Sequence, residues 1–479
     1  MKQLLAAALV AMLLLIPAWS QSPLSPEVKA FVKVDAPVVA LTKVRVIDGT
    51  GTAAREEQTI VIRGGRIEAV GPSATTPVPE GAERLELGGS TVIPGLVGMH
   101  NHLYYPAPGA GNPRTYPPHV FSFPRLYLAG GVTTIRTTGS VEPYTDLEVK
   151  KLIDAGKMAG PKMHITGPYL EGKGAFTPQM HQLNGPEDAR KTVEFWADQG
   201  VTWFKAYMNI TRAELGAAIE TAHKRGLKVT GHLCAVTFRE AAALGIDDLE
   251  HGLSENTEYL PDKKPDACPP QRRANVELLA KLDIAGEPVQ QTIRELVQKK
   301  VALTSTLPVF ETFVANRPPL QQRVLDAMTA DARVSYLATR ARIGEDAASP
   351  WPAAFKKEME FERAFAAAGG LLVTGLDPTG YGGVVAGFGD QRGVELLVEA
   401  GFTPVEAIRI ATRNGAELLG ELERIGTIEP GKQADLVVIK GDPSKNIADI
   451  EKVEIVFKDG VGYDPAKLVD SVKGSVGTR

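Results

Sequence analysis

Short runs in which apolar and polar residues alternate occupy both ends of the chain. Residues 42–47, 59–62 and 66–70 form such runs near the start, and residues 435–439 and 453–457 form them near the end. Each run stops at glycine, proline or aspartate, which is typical of short strands joined by turns. We therefore predict one small β-sandwich domain built from residues 21–93 and 423–479.

The middle of the chain has a different pattern, in which strand-like apolar runs alternate with amphipathic helical runs. This alternation is typical of βα units and a parallel sheet. Helix starts are marked by Thr211 with Glu214, a capping box, and by Thr403 followed by Pro404. The predicted strands are residues 93–102, 132–136, 162–166, 201–206, 227–232, 247–251, 301–307 and 371–377. Eight such units predict an α/β fold, a (β/α)8 TIM barrel over residues 94–422.

Two segments interrupt this alternation, residues 104–124 and residues 254–288. Both follow predicted strand ends, on the face of a barrel where active sites form. Loops of this length are commonly lids or binding loops, so we expect them to shape a pocket.

The first twenty residues differ from the rest of the chain. Lys2 precedes an unbroken apolar stretch at residues 4–16, and small residues follow at 17–20. The stretch is short for a membrane span and has the order of a secretory signal peptide. We expect residues 1–20 to be cleaved, which leaves a periplasmic or secreted protein without a stable membrane span.

Composition narrows the range of functions. The chain is 43% hydrophobic and 23% charged with a net charge of -4, so no basic surface for nucleic acid is expected. The two cysteines, Cys234 and Cys268, exclude a multi-cysteine zinc site. Their spacing alone leaves open whether they form a disulfide or remain separate thiols.

Potential metal ligands stand at the ends of several predicted strands. His100 and His102 are two positions apart, so a strand presents both imidazoles on one face. Such a pair alone is only moderately informative. The other polar side chains at strand ends are Lys205, His232, His251 and Asp377. Because parallel strands end on one rim of a barrel, the sequence predicts that these residues converge into a metal site.

This ordered set resembles the amidohydrolase superfamily. The segment 94–102, the strand-end residues and the segment 425–438 carry the resemblance, and the branch of imidazolonepropionase-like proteins and prolidase-type dipeptidases is the most similar. The resemblance implies two divalent metal ions, with Zn²⁺ expected, bridged by a CO₂-derived carbamate on Lys205. It assigns His100, His102 and Asp377 to one ion and His232 and His251 to the other, with Asp377 also taking a proton from the attacking water.

Physical chemistry agrees with the role assigned to Lys205. An ammonium group beside a metal would place two positive charges together, and burial also disfavours it, whereas carboxylation creates an anionic oxygen ligand. The alternative is a surface or interface lysine, and the site would then hold one metal ion.

Other polar residues are weaker candidates. We expect His164 at the end of the third strand to hold substrate or its carbonyl oxygen, although a histidine packed behind the ligands explains it equally well. Tyr207 is expected to orient a substrate carboxylate, with a core tyrosine as the alternative. Arg136 is expected to bind an anion, although a structural ion pair explains it equally well. Three further residues lie in rim loops and are candidates to line the pocket, with ordinary loop packing as the alternative: Tyr104, Tyr169 and His181.

The absence of a glutamate that deaminases use indicates which reaction to expect. Deaminases in this superfamily place a glutamate three residues after the fifth-strand histidine, where this chain has Ala235. We therefore expect an amidohydrolase that cleaves a C–N bond with a metal-activated hydroxide, in dipeptides or N-acyl amino acids. The alternatives are a lactonase or organophosphate hydrolase and a non-catalytic binding protein. The expected partner is a small molecule, and homo-oligomer formation stays open.

Overall fold

The computed structural model describes residues 23–107, 115–270 and 273–478, so the predicted signal peptide lies outside the described residues. The strands are β1 (Val32–Val34), β2 (Val38–Val46), β3 (Arg55–Arg63), β4 (Arg66–Pro72), β5 (Glu83–Glu86), β6 (Ser90–Pro94), β7 (Leu96–Asn101), β8 (Val132–Thr137), β9 (Lys162–Leu170), β10 (Trp203–Ala206), β11 (Lys228–Gly231), β12 (Asp248–Glu250), β13 (Ala302–Ser305), β14 (Leu372–Thr374), β15 (Leu436–Lys440), β16 (Val453–Lys458) and β17 (Val461–Tyr463).

The helices are α1 (Pro26–Lys29), α2 (Ser122–Ala129), α3 (Pro143–Asp154), α4 (Pro186–Asp198), α5 (Arg212–Lys224), α6 (Phe238–Leu244), α7 (Arg273–Leu279), α8 (Glu287–Gln298), α9 (Leu307–Glu311), α10 (Gln322–Ala327), α11 (Ala330–Glu345), α12 (Trp351–Ala367), α13 (Phe388–Glu399), α14 (Pro404–Arg409), α15 (Gly415–Leu419) and α16 (Pro465–Asp470). The capping box predicted at Thr211 is present at the start of α5, and the helix start predicted at Thr403 is that of α14, where Thr403 and Glu406 also form a capping box. Within the described ranges, no helix is long and apolar enough to cross a membrane.

Strands β7 to β14 form a parallel eight-stranded sheet in which chain order equals spatial order. The two edge strands meet, because the Asp377 backbone N–H donates to the His100 carbonyl oxygen at 2.9 Å. Helices lie between consecutive strands along the chain. The predicted (β/α)8 barrel is therefore confirmed.

The remaining strands form one nine-stranded sheet drawn from both chain ends. Its order is β1-β17-β16-β15-β6-β2-β3-β4, with β5 paired to β2. Strand β15 pairs antiparallel with β6, so the C-terminal strands join directly to the N-terminal ones. Its two parts share one apolar core, which includes Val39, Leu41, Leu436 and Phe457. The composite domain is confirmed. Its strand pairs are antiparallel except for β2–β5 and β2–β6, which are parallel.

The chain passes from this sheet into the barrel at Gly95, between β6 and β7. The Gly95 N–H donates to the Asp435 carbonyl oxygen of the outer sheet at 2.8 Å, and the Leu96 N–H donates to the Gly131 carbonyl oxygen of the barrel at 2.9 Å. A Cβ atom at Gly95 would lie 2.0 Å from Thr133 Oγ1. Only glycine allows the backbone to pass this close to Thr133. Gly95 therefore fixes the point at which the chain leaves the outer sheet and β7 enters the barrel.

The insertion after β12 folds back over the loop that follows β11. A disulfide joins Cys234 to Cys268, with the Cα atoms 4.9 Å apart, which resolves the alternative that the sequence left open. The Thr257 hydroxyl donates to the Cys234 carbonyl oxygen and the Lys263 ammonium to the Ala235 carbonyl oxygen. The insertion is therefore tied to the segment that begins two residues after His232.

Candidate active site

The carboxyl ends of five barrel strands bring the predicted metal ligands together. His100 lies in β7 and Lys205 in β10, while the other four residues follow the ends of β7, β11, β12 and β14. Asp377 is central to the cluster. Its carboxylate oxygens lie 3.7 Å from His100 Nε2, 3.5 Å from His102 Nε2 and 3.9 Å from His251 Nε2.

These donor atoms fit a divalent cation. The donor atoms of His100, His251 and Asp377 lie within 4.8 Å of one another. Two ligands of one zinc ion, each about 2.1 Å away, are separated by about 3 to 3.5 Å, close to the observed spacing. His251 Nε2 and Asp377 Oδ1 are buried and have no hydrogen-bond partner among the described residues. Buried polar atoms are rarely left unpaired, so this arrangement points to an ion between them.

In three of the imidazoles, those of His100, His102 and His251, the other ring nitrogen is held by a neighbouring residue. These contacts direct Nε2 toward Asp377, as hydrogen bonds behind metal-ligating histidines typically do. The Nδ1 contacts are His100 with Glu250 Oε2 at 2.7 Å, His102 with the Gly139 carbonyl oxygen at 3.1 Å, and His251 with Thr306 Oγ1 at 2.7 Å.

The protonation states suit metal binding. Burial lowers the pKa of His100 and His251 well below the usual imidazole value, and lowers the pKa of His102 as well. Burial opposes ionisation of Asp377, but the neighbouring histidines and Lys205 lower the pKa of its carboxyl. Neutral imidazoles beside an ionised carboxylate are the form in which these side chains bind metals.

Lys205 is 1% exposed, which excludes the surface position considered as its alternative. Its Nζ lies 3.0 Å from His100 Nε2, and 5.6 Å and 5.9 Å from the ring centres of Tyr169 and Tyr207. Burial lowers the pKa of this amine to about 8. A neutral amine is the form that reacts with CO₂, so the environment fits carboxylation.

Two of the predicted ligands have unusual backbone conformations. His251 has φ = 71° and Asp377 has φ = 50°, both in the left-handed region. Each such residue costs about 1–3 kcal/mol unless its surroundings hold it in place, and this strain is concentrated at functional sites. Both residues leave their strands through this conformation, a feature that alternation of residue types does not reveal.

His232 stands at one side of the cluster. Its ring centre is 4.5 Å from that of His251 and 4.7 Å from that of Tyr207. Its Nε2 lies 3.2 Å from Oε2 of Glu255, a residue that the sequence analysis did not single out. Glu255 follows His251 by four positions in a short 3₁₀ turn, Gly252–Glu255.

Arg136 does not reach the rim as an anion-binding residue. Its guanidinium is fully buried, with Nη2 2.8 Å from Asp248 and 2.7 Å from Glu250. This arrangement matches the structural ion pair considered as the alternative. Glu250 also contacts His100, so Arg136 helps to hold in place the carboxylate that positions this predicted ligand.

His164 is also displaced from its predicted position, and the expectation that it reaches the same rim is wrong. Strand β9 continues to Leu170, beyond the predicted end at 166, so His164 lies near its start. Its Nε2 is 3.7 Å from Glu421, and it lines a cavity with Lys162 and Arg424. In register it is Tyr169 that pairs with Lys205.

Aromatic residues form one wall beside the cluster. The Tyr104 ring stacks on His102 with centroids 4.4 Å apart, and its hydroxyl bonds to that of Tyr169. The Tyr169 and Tyr207 rings meet at 4.8 Å. His181, predicted to line the pocket, is instead exposed and lies 3.2 Å from Asp188 at the start of α4.

Curated proteins of known name are similar to part of this chain. An imidazolonepropionase from Arthrobacter sp. (strain FB24) is 31% identical over 118 residues, 25% of this chain and 27% of that protein. The chain spans about a quarter of the length of the curated relatives that it matches.

Solved structures match over nearly the whole chain and show the same fold. A protein described as a prolidase from Bifidobacterium longum has a TM-score of 0.64 at 24% identity, covering 92% of this chain and 99% of that one. A Xaa-Pro dipeptidase with bound methionine has a TM-score of 0.66 at 20% identity, covering 89% and 100%. The model of the amidohydrolase family matches residues 91–462, which include every predicted ligand. The chain belongs to the amidohydrolase family.

Proposed function

We propose that this protein is a secreted hydrolase that cleaves the amide bond of dipeptides or N-acyl amino acids. The family supports metal-dependent hydrolysis of C–N bonds in general. The observation that carries the proposal is the meeting of three imidazoles at the Asp377 carboxylate, with buried donor atoms left unpaired. Similarity to a Xaa-Pro dipeptidase supports dipeptides as the substrate class.

Six residues would hold two divalent ions, for which Zn²⁺ is the proposed metal. A bound ion of this kind supplies Lewis acidity, which polarises a carbonyl group and lowers the pKa of water. In this assignment Lys205 contributes as its carbamate to both ions. The residues are His100, His102 and Asp377 for one ion and His232 and His251 for the other.

Asp377 would move the proton. The Asp377 carboxylate has two oxygens, so one could hold an ion while the other accepts a proton from the attacking water. Its lowered pKa means that the carboxyl, once protonated, readily gives the proton to a leaving amine nitrogen. One group therefore serves first as a base and then as an acid.

Three tyrosines beside the cluster, Tyr104, Tyr169 and Tyr207, would orient the substrate. Burial raises the pKa of Tyr104, Tyr169 and Tyr207 well above the usual phenol value, so each hydroxyl stays protonated at neutral pH. A neutral hydroxyl can donate a hydrogen bond to a carboxylate or carbonyl oxygen. Tyr207, beside His232, is the proposed contact for the substrate carboxylate.

The disulfide supports export to an oxidising compartment. Stable disulfides are rare in the bacterial and eukaryotic cytosol and common in secreted or periplasmic proteins. The Cys234–Cys268 pair therefore agrees with the signal peptide proposed at residues 1–20.

A metal assay combined with a substrate panel tests the proposal. The purified protein is analysed for divalent metals and offered dipeptides, N-acyl amino acids, lactones and organophosphate esters. We expect metal-dependent amide turnover, its loss in Asp377→Asn, and no loss in Asp198→Asn, a surface carboxylate paired with Arg225. Metal-free protein that is inert on the whole panel would exclude the enzyme, and turnover confined to lactones or organophosphates would favour that alternative.

A further inference from the structure

Glu255 places a carboxylate against one of the proposed metal ligands. Its Oε2 lies 3.2 Å from Nε2 of His232, and its side chain is 19% exposed. Nε2 is the atom through which His232 would bind a metal in the proposed centre. None of the six ligands assigned by resemblance is a glutamate.

The separation of these two atoms matches that of two ligands sharing one ion. Zinc–nitrogen and zinc–oxygen bonds are both about 2.0–2.2 Å long, which sets neighbouring ligands about 3 to 3.5 Å apart. The separation of 3.2 Å falls within this range and is smaller than any His–Asp377 separation in the cluster. The carboxylate and the imidazole are therefore spaced so that a single ion could bind both.

Hydrogen bonds to helix α12 hold the turn that carries Glu255. On α12, the Glu358 carboxylate accepts bonds from the Leu253 N–H at 3.0 Å, the Ser254 N–H at 2.6 Å and the Ser254 hydroxyl at 2.7 Å. A Cβ atom at Gly252 would lie 2.0 Å from Glu358 Oε1, which shows how closely the turn lies against the helix. The position of Glu255 is thus built into the fold.

Charge balance gives this carboxylate a role. The ion assigned to His232 and His251 would have two neutral imidazoles and would depend on the Lys205 carbamate for anionic charge. Buried divalent cations are usually balanced by anionic ligands, because an uncompensated charge is costly to bury. Glu255, beside His232, would supply anionic charge to this ion.

We propose that Glu255 is a further ligand, through Oε2, of the divalent ion held by His232 and His251. This assignment rests on the proposed two-metal centre. The second ion would then have three protein ligands in addition to Lys205. His251 and Glu255 follow β12, and His232 follows β11.

Zinc binding to the metal-free protein tests the assignment without any substrate. Wild type, Glu255→Gln, Glu255→Asp and the control Glu258→Gln are stripped with a chelator and titrated with Zn²⁺ by calorimetry. Glu258 lies in the same loop, but its carboxylate is turned toward Arg239 at 3.3 Å. The visible spectrum of the Co²⁺-loaded proteins provides a second readout of the ligands.

We expect two sites in wild type and in Glu258→Gln. In Glu255→Gln one site should weaken by roughly tenfold or more, since loss of even an outer-shell partner costs about 10–100-fold. The Co²⁺ spectrum should change in the same variant. Glu255→Asp, which withdraws the carboxylate by one methylene, should weaken the same site less, and it decides the question if the glutamine variant does not fold.

Three other outcomes would contradict either the assignment of Glu255 as a ligand or the proposed function. Two equally tight sites and an unchanged Co²⁺ spectrum in both Glu255 variants would overturn the ligand while leaving the proposed function intact. Unchanged metal binding with a raised KM only for substrates that carry a free amine would assign Glu255 to an ammonium group and also overturn it. A wild type that binds no divalent ion would overturn the proposed function itself.

Discussion

Glu250 Oε2 lies 2.7 Å from Nδ1 of His100, and both side chains are fully buried. The contact fixes His100 with its proton on Nδ1 and its unprotonated Nε2 facing Lys205 and Asp377. Glu250 is in turn paired with Arg136 through its other oxygen. One buried carboxylate thus links a metal-ligand candidate to the interior ion pair of the barrel.

Replacing this carboxylate should weaken metal binding more than it changes the fold. We expect Glu250→Gln to lower zinc affinity by about 10–100-fold, the usual effect of losing a partner behind a metal-ligating histidine. Zinc affinity is measured by competition with a chromophoric chelator.

The matched control is Asp248→Asn, which removes the other carboxylate paired with Arg136 but does not contact His100. Both variants should lose stability in denaturant unfolding, because each leaves Arg136 with one anionic partner fewer. Only Glu250→Gln should lose zinc affinity. Equal zinc affinities in the two variants would contradict the positioning role of Glu250.

Lys205 should determine how many metal ions the protein holds. We expect about two ions per chain in wild type and fewer in Lys205→Met, because the variant cannot form the carbamate that bridges both ions. The control is Lys228→Met on the adjacent strand β11, whose amine donates to the Leu418 carbonyl oxygen and not to the cluster.

Elemental analysis gives the metal count, and ¹³C NMR of protein prepared with ¹³C-bicarbonate detects the carbamate. A carbamate signal should be present in wild type and in Lys228→Met and absent in Lys205→Met. Two metal ions in Lys205→Met, with no carbamate signal in wild type, would show that the lysine does not bridge the ions.

Most of the cluster could be predicted from sequence because chain order determines barrel geometry. Once eight βα units are recognised, every strand end lies on one rim, and so polar residues far apart in sequence must meet. His100, Lys205, His251 and Asp377 were located in this way. The prediction needs only the order of the strands and the approximate position of each end.

The remaining placements depend on details that residue patterns do not encode. His164 was misplaced because β9 continues through Gly167 and Pro168, residues that usually end a strand. The role of Arg136 depends on partners in β12, more than a hundred positions away. Glu255 reaches His232 only because His251 adopts a left-handed conformation and a 3₁₀ turn follows.

The disulfide should contribute substantially to stability. Cys234 and Cys268 are 34 positions apart, and closing a loop of this length in the unfolded chain stabilises the folded state by about 3–4 kcal/mol in the chain-entropy model. We expect the double variant Cys234→Ala, Cys268→Ala to lose roughly this amount in denaturant unfolding. Reductant should destabilise wild type to a similar extent and have no effect on the double variant, whereas reductant-insensitive wild type would contradict the prediction.

Stability should fall in mildly acidic solution, and His119 should account for a defined part of the loss. Its ring stacks on Phe123, its Nε2 accepts a bond from the Gly477 N–H at 3.4 Å, and burial lowers its pKa to about 4. Between the unfolded pKa of about 6.5 and this value, only the unfolded chain binds the proton, so stability decreases as pH falls. The contribution at about pH 5, relative to about pH 7.5, is about 2 kcal/mol.

Denaturant unfolding of wild type, His119→Gln and His181→Gln at these two pH values measures that contribution. Other groups also titrate, but they are common to all three proteins, so the difference between the pH effects isolates one imidazole. We expect the pH-dependent loss to be about 2 kcal/mol smaller in His119→Gln than in wild type, because glutamine cannot take up the proton. His181→Gln, which removes an exposed imidazole, should behave as wild type. An identical pH-dependent loss in wild type and His119→Gln would mean that the His119 imidazole is protonated in the folded protein despite its burial.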